Sequence, residues 1–377
     1  MSRFRHFTDD HLKELLSSLQ EFVALESPST DKAALDRAAR YLADRFARDL
    51  SARIEWFPQE SYGDHLAARV GQGSRQILLL GHHDTVWPLG TIANMPCRAD
   101  GDRLTGPGVY DMKAGTVQAL FALRAVQELG FGQDKTFVFL GNSDEEIGSH
   151  SSRPVIEQLA RESEMVLVLE PAAGSVGAAK LWRKGVGAYR VDVQGVASHA
   201  GGAPEKGRSA LLELAHQIID LQTITDFASG ITVNVGVASG GTRSNVVPAR
   251  AEAHVDLRVP DMAAYEEVHR RIMHRPRFVD GTEISVSGGL NRPPMVETPA
   301  SRRIYEKASA AAAAEGFDLP VTGVGGGSDG NFTAALGVAT LDGLGAIGSG
   351  AHADHEHIVL SSIAPRVAFL ARFLAEL

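Results

Sequence analysis

Leu78-Leu79-Leu80 runs through Gly81 directly into His82-His83-Asp84-Thr85-Val86. A short apolar run of this kind reads as a buried strand, and here it delivers two imidazoles and a carboxylate to its end. If the strand continues through Asp84, His82 and Asp84 share one face and His83 points to the other, because side chains two apart on a strand lie on the same side. A metal-bound imidazole commonly donates its second N–H to a carboxylate, which fixes tautomer and ring orientation. His-x-Asp supplies both groups within one tripeptide. The same tripeptide also suits a polar loop after a core strand, so its weight comes from what the rest of the chain places at other strand ends.

A chain of 377 residues suggests roughly two domains. Its 44% hydrophobic and 22% charged residues are those of an ordinary globular protein. With 37 basic against 46 acidic residues, a net charge of −9 and no long basic run, nucleic acid is not expected as a partner. Cys97 is the only cysteine, which excludes an intrachain disulfide and a Cys-based zinc site. Met1–Phe7 lacks the apolar core of a signal peptide and no stretch approaches ~18 uninterrupted apolar residues. The expectation is a cytoplasmic protein without a membrane partner.

Helical spacing of Leu12, Leu15, Leu16, Leu19 and Phe22 predicts a first helix capped by Thr8-Asp9-Asp10. A second starts at Ser29-Thr30-Asp31. Strands are predicted at 52–57, 65–70, 76–80, 135–140 and 165–169, with helices at 111–129 and 154–161 between them. This alternation implies an α/β mixed sheet with helices on both faces, whose ligands gather beyond the carboxyl ends of the strands. From about residue 180 the pattern changes to two strand–helix–strand halves, an α+β unit of its own. Asn291-Arg292-Pro293-Pro294 reads as a linker back to a helix at 299–314, a short strand near 338–341 and a closing helix from Ile363.

His82, Asp84, Asp111, Glu145, Glu146, Glu170 and His352 all fall at such strand or loop ends. Taken singly each has an ordinary explanation: Asp111 as a helix cap, Asp144-Glu145-Glu146 as a solvated turn, Glu170 as a strand terminus. Their joint occurrence, in order, resembles the M20 metallopeptidase family, in particular its glutamate carboxypeptidase branch. The matching segments are His82–Val86, Gly106–Gly115, Asp144–Ser149, Glu170-Pro171, Ala197–Gly201, Ser244–Pro248, Gly325–Asp329 and the loop at His352.

The resemblance implies a zinc-peptidase-type catalytic domain (1–179 and 291–377) interrupted by a ferredoxin-like lid and dimerisation domain (180–290). It implies two Zn2+ ions, with Co2+ or Mn2+ also suited to N/O ligands. His82 and His352 would each bind one ion, Asp111 would bridge, and Glu146 and Glu170 would complete one shell each. Asp84 would orient His82 and Glu145 would be the general acid/base. His199 would donate a hydrogen bond to the oxyanion of the partner subunit's site in a homodimer. Asn245, Arg258, Gly327 and Ser328 would hold the substrate carboxylate, and Arg292 an acidic side chain. His83 competes with His82, and His355 and His357 compete with His352, for the ligand roles. The implied substrate is a small peptide or N-acyl amino acid that loses its C-terminal residue, glutamate first among candidates. An N-acyl amino acid deacylase of other specificity, or a catalytically silent binding protein on the same fold, are the competing readings.

Overall fold

The strand Arg75–His82 is the centre of the larger of two units into which the chain divides. The computed structural model describes residues 1–377. The first unit comprises Met1–Trp182, Glu297–Val324 and Ser328–Leu377, and the second Arg183–Val296 with Gly325–Gly327.

In the first unit a six-stranded mixed sheet runs in the order Arg53–Phe57, His65–Gly71, Lys135–Asn142, Arg75–His82, Met165–Val168, Thr340–Leu341. The last four are mutually parallel, and His65–Gly71 runs antiparallel to both its neighbours, Arg53–Phe57 and Lys135–Asn142. Both faces are covered, which is why the central strands are apolar without alternation. Ile77, Leu79, Phe137, Phe139 and Leu167 pack beneath the helices Arg3–Ala24, Lys32–Leu50, Ala114–Glu128, Pro299–Ala314 and Leu360–Glu376. Leu78, Leu80, Val138, Leu140, Val166 and Val168 pack on the opposite face against Ile156, Leu159 and Phe332.

Local capping rules misplace the start of the first helix. It begins at Arg3, where the Ser2 hydroxyl accepts from the Arg5 amide at 3.0 Å. Thr8 turns its hydroxyl onto the Phe4 carbonyl instead of capping. Phe4 and Phe7 are buried, so the helix extends backwards to place them in the core, and tertiary packing overrides the capping preference. Asp31, by contrast, caps the second helix as expected, accepting from the Ala34 amide at 2.9 Å.

The helix Ala114–Glu128 passes so close to the sheet that Gly115 has no room for a side chain. A Cβ there would stand 2.1 Å from the Leu169 carbonyl oxygen. Gly115→Ala is expected to destabilise the protein by about 1–3 kcal/mol through overpacking. Intrinsic helix propensity has the opposite sign and favours alanine by about 1 kcal/mol. Urea unfolding decides between them, and a midpoint at or above wild type would show that the strand end before Glu170 yields without cost.

The second unit is a four-stranded antiparallel sheet ordered Thr232–Gly240, Arg250–Val259, Gly185–Gln194, Glu283–Arg292. With the helices Ala210–Gln222 and Met262–Met273 between strands, the chain order strand–helix–strand–strand–helix–strand is ferredoxin-like. Tyr189, Val191, Val193, Ala253, Val255 and Leu257 face the helices, while Ala188, Arg190, Gln194 and His254 between them are exposed. That period of two is what one-sided burial requires. Asn291 and Arg292, read from the sequence as linker, are the last residues of the strand Glu283–Arg292. Pairing of Arg292 with Val186 continues the ladder across a bulge and keeps them in the sheet.

Candidate metal centre

Three adjacent parallel strands bring their carboxyl ends together. Arg75–His82 ends on His82, Lys135–Asn142 leads into Asp144-Glu145-Glu146, and Met165–Val168 leads through Leu169 to Glu170. His82 pairs in register with Asn142, and Leu80 with Val168. Three segments far apart in sequence therefore meet by strand pairing alone.

Asp111 reaches the same place from an irregular turn, Val109–Lys113, that precedes the helix at Ala114. Its backbone is not helical (φ −115°, ψ 97°). The expected helix over 111–129 therefore starts three residues later than the sequence suggests, and Asp111 is not a helix cap. Gly108, at φ +71°, begins this turn, and a Cβ there would stand 2.4 Å from the Thr85 methyl. Buried Lys113 ends the turn, its ammonium donating to the carbonyls of Phe22 (3.2 Å) and Leu25 (2.8 Å). His352 lies between the short strands Gly348–Ser349 and His357–Val359, in a left-handed backbone conformation (φ 61°). Non-glycine residues seldom adopt it, and it clusters at functional sites.

The Asp111 carboxylate stands between the two imidazoles. Its Oδ1 is 3.3 Å from His82 Nε2 and its Oδ2 is 3.5 Å from His352 Nε2. Each imidazole has a second acid beside it: Glu170 Oε1 at 3.7 Å from His82 Nε2, and Glu146 Oε2 at 3.0 Å from His352 Nε2. Glu145 also joins, since His82, Glu145 and Glu170 offer ligand atoms within 4.8 Å of one another, as do His82, Asp111 and Glu146.

Electrostatics around this group are those of acids crowding imidazoles. Asp111 and Glu146 push the His352 imidazole up to about 10. Burial alone would push His82 down, but Asp111 and Asp84 hold it well above its usual value. Burial raises Glu146 to about 7, with His352 opposing and the Asp111 charge adding to the rise. Asp111 is held low despite its burial, by the His352 and His82 imidazoles beside it. A divalent cation would take the place of these protons, because metal ligands must be deprotonated.

His82 Nε2, Asp111 Oδ1 and Glu146 Oε1 are buried atoms without a hydrogen-bond partner. Buried polar atoms are almost always satisfied, so orphaned acceptors converging on one point fit a cation. The set of imidazole nitrogens and carboxylate oxygens, without thiolate, is one that zinc, cobalt or manganese accepts.

Asp84 lies beyond the last strand residue, so it does not share a strand face with His82 as period-two reasoning supposed. His82 Nδ1 meets the Asp84 backbone carbonyl at 3.0 Å and its carboxylate at 3.3 Å. That carboxylate accepts from the amides of Glu145 (3.2 Å) and Glu146 (3.1 Å) and from the Ser29 hydroxyl (2.7 Å). One buried acid thus fixes both the ring of His82 and the backbone of the Glu145-Glu146 turn. Asp329 buttresses that turn from the other side, accepting from Ser149 Oγ and Asn142 Nδ2. Ser29 carries no local sequence signal for its contact, and Asp329 closes the matching segment Gly325–Asp329 without a role of its own being read from it.

His83 is buried with neither ring nitrogen hydrogen-bonded, and burial pushes it down to about 3, so it is a neutral core residue. His355 and His357 are turned to Asp354 and to the His355 carbonyl respectively. None of these three stands in the groups of ligand atoms within 4.8 Å of one another, nor does His352, which meets Glu146 and Asp111 in pairs.

Among the residues expected to meet substrate, Ser328 is fully buried and its hydroxyl donates to Asp342 Oδ2 at 2.6 Å. Arg258 forms a bidentate pair with Asp256 (2.8 and 2.9 Å). Arg292 is buried and packs on Gly327, where a Cβ would stand 2.8 Å from its Cδ. Within the second unit His199 pairs with Val246, and the Asn245 carbonyl accepts from the Ala200 amide at 2.9 Å. His199 Nδ1 accepts from the amides of Gly201 (3.1 Å) and Gly202 (2.9 Å). An Nδ1 acting as acceptor places the proton of the neutral ring on Nε2.

Comparison with known proteins gives a family for this arrangement. Residues 78–376 match peptidase family M20/M25/M40. The chain belongs to that family. Carboxypeptidase G2 of Pseudomonas sp. (strain RS-16) is 29% identical over 381 residues, covering 99% of this chain and 91% of that protein. A succinyl-diaminopimelate desuccinylase of Gluconobacter oxydans is 31% identical over 249 residues, covering 59% of this chain and 63% of that protein. Among solved structures, an M20 family metallo-carboxypeptidase of Sulfolobus solfataricus superposes with a TM-score of 0.77 at 20% identity, covering 96% of this chain and 98% of that one. The M20 fold expected from the motifs is therefore the fold of this chain, and the chain is a hydrolytic enzyme of a metal-dependent family. No helix is long and apolar enough to cross a membrane.

Proposed function

We propose that this M20 enzyme is a two-metal hydrolase that cleaves an amide to release a C-terminal amino acid, with glutamate the leading candidate. The observation that carries the reading is the Asp111 carboxylate set between His82 and His352, each with a second carboxylate of its own. Similarity to carboxypeptidase G2 over nearly the full chain favours a carboxypeptidase-type amide substrate. Similarity to a desuccinylase supports a second reading, an N-acyl amino acid deacylase built on the same chemistry.

His82, Asp111 and Glu170 would hold one divalent ion and His352, Asp111 and Glu146 the other. Bound there, such ions supply Lewis-acid polarisation of the scissile carbonyl and a more acidic water. Glu145 takes the proton of the attacking water and delivers it to the leaving amine. Asp84 keeps Glu145 at that position by accepting from its amide. His199, with its Nε2–H free of the Nδ1 contacts, donates to the oxyanion that develops on the carbonyl. Arg258 supplies the cation for the substrate's free carboxylate by exchanging its Asp256 partner, and Asn245 and Gly327 frame it. Ser328 acts through the loop rather than by direct contact.

A homodimer completes this reading. In the second unit the strand Thr232–Gly240 is an unpaired sheet edge, and Leu211, Leu212, Ile219 and Phe227 are exposed on and after the helix Ala210–Gln222. Exposed edges and apolar helix faces are pairing surfaces, and a second copy of this chain is the partner that fits them.

Chelation tests the core of the proposal. Stripping divalent ions is expected to abolish release of amino acid from N-acyl glutamates, and zinc to restore it. Metal analysis should find close to two ions per chain. A fully active preparation without transition metal would refute the proposal. Preference for N-succinyl diamino acids over N-acyl glutamates would select the deacylase reading.

A further inference from the structure

Glu356 lies in the His352 loop and is only 1% exposed. Its carboxylate accepts four N–H donors. Oε2 takes the Gly108 amide at 2.9 Å and the Trp87 indole Nε1 at 2.7 Å; Oε1 takes the amides of Tyr110 at 2.8 Å and Asp111 at 3.0 Å. Both oxygens are therefore acceptors twice over, which only the ionised form satisfies, since a protonated carboxyl turns one oxygen into a donor. Three amides of one short turn converge on a single charged group. The backbone from Gly108 to Asp111 wraps around it much as a loop wraps an anion in a backbone nest.

What that turn presents is the Asp111 side chain, whose two oxygens face His82 and His352. Glu356 follows His352 by four residues. The two loops that must stay in register for Asp111 to reach both imidazoles are thus joined through one carboxylate. The Trp87 indole brings in a third segment, the one that follows the strand Arg75–His82.

We propose that Glu356 is a positioning residue for the metal centre. By gripping the Gly108–Asp111 backbone it holds the Asp111 carboxylate where one oxygen serves the His82 side and the other the His352 side. This rests on the reading of Asp111 as the shared ligand. It assigns Glu356 no contact with metal or substrate.

Glu356→Gln keeps shape and size but sets an NH2 group against two N–H donors, so the turn must open. Zinc affinity of the stripped protein, measured by competition with a chromophoric chelator, is expected to fall about 10–100-fold, the usual effect of removing support behind a ligand. Glu213 supplies the control. It too is fully buried, accepting from the amides of Phe278 (2.9 Å) and Val279 in the second unit, where no candidate ligand lies. Glu213→Gln should lower thermal stability and leave zinc affinity unchanged. Should Glu356→Gln not fold, Glu356→Asp, one methylene shorter, replaces it in the same comparison with the same expected direction. Trp87→Phe, which removes one of the four donors, should give a smaller loss of affinity than either.

The proposal is overturned if the folded Glu356 variant binds zinc within about threefold of wild type, well inside the expected range. It is equally overturned if Glu213→Gln loses as much affinity, because Glu356 would then act only through general stability. Asp111→Asn is the arm that separates the two levels. If it loses metal while the Glu356 variant does not, only the positioning role fails. If it keeps both ions, the reading of Asp111 fails.

Discussion

Glu145→Gln is expected to fold and to retain metal as wild type does, yet to hydrolyse its amide substrate about 10²–10⁴-fold more slowly, the usual worth of a positioned general acid–base. The amide isostere fills the same space and leaves intact the backbone hydrogen bond to Asp84, so the loss isolates proton transfer. Glu146→Gln is expected to behave differently, because Glu146 Oε2 is 3.0 Å from His352 Nε2 and its Oε1 is a buried atom without a partner. There the metal content should fall first and activity with it, with partial recovery in excess zinc. The geometry makes this a real choice, since Glu145 stands within 4.8 Å of His82 and Glu170 as well. Metal analysis of the two variants beside their turnover would show base and ligand exchanged if Glu145→Gln lost metal and Glu146→Gln kept it.

His199→Ala should be nearly as damaging, about 10²–10³-fold in kcat, which is what one oxyanion donor typically contributes. Gly201 and Gly202 hold Nδ1 as an acceptor, so the ring offers Nε2–H without paying a tautomer change. If His199 serves the partner's site, Glu145→Ala and His199→Ala chains, each almost inactive, complement one another. In a mixed dimer one site carries both defects and the other neither. Random pairing makes about half of the dimers mixed, with half of their sites intact, so about a quarter of wild-type activity should return if the donor acts in trans. Co-expression with two affinity tags isolates the mixed species. Activity that stays at the level of the single variants in those dimers would place His199 in the site of its own chain and remove the reason for an obligate pair.

The sequence by itself determined the class of fold and where to look. The uniform apolar runs of 77–80, 137–140 and 165–168 demanded a sheet buried on both faces, and the alternation in 188–194 and 251–257 demanded one buried on a single face. Those patterns depend only on residue type and the period of a strand, so they survive without coordinates. Strand ends rich in His, Asp and Glu followed from the same segmentation. Tertiary structure decided what those residues meet. Strand exit, not the tripeptide, set the surroundings of His82 and His83: one ring meets Asp111, while the other is buried without a partner. Asp84 proved to grip the Glu145-Glu146 turn, 61 and 62 residues away, besides His82. Arg258, expected to await a substrate carboxylate, is paired with Asp256 two residues earlier. Glu356 reaches partners 245 to 269 residues distant. Burial and alternation are short-range consequences of each segment's composition. The pairing of a carboxylate with amides from another loop depends on where the whole sheet sets that loop down, and no local pattern records it.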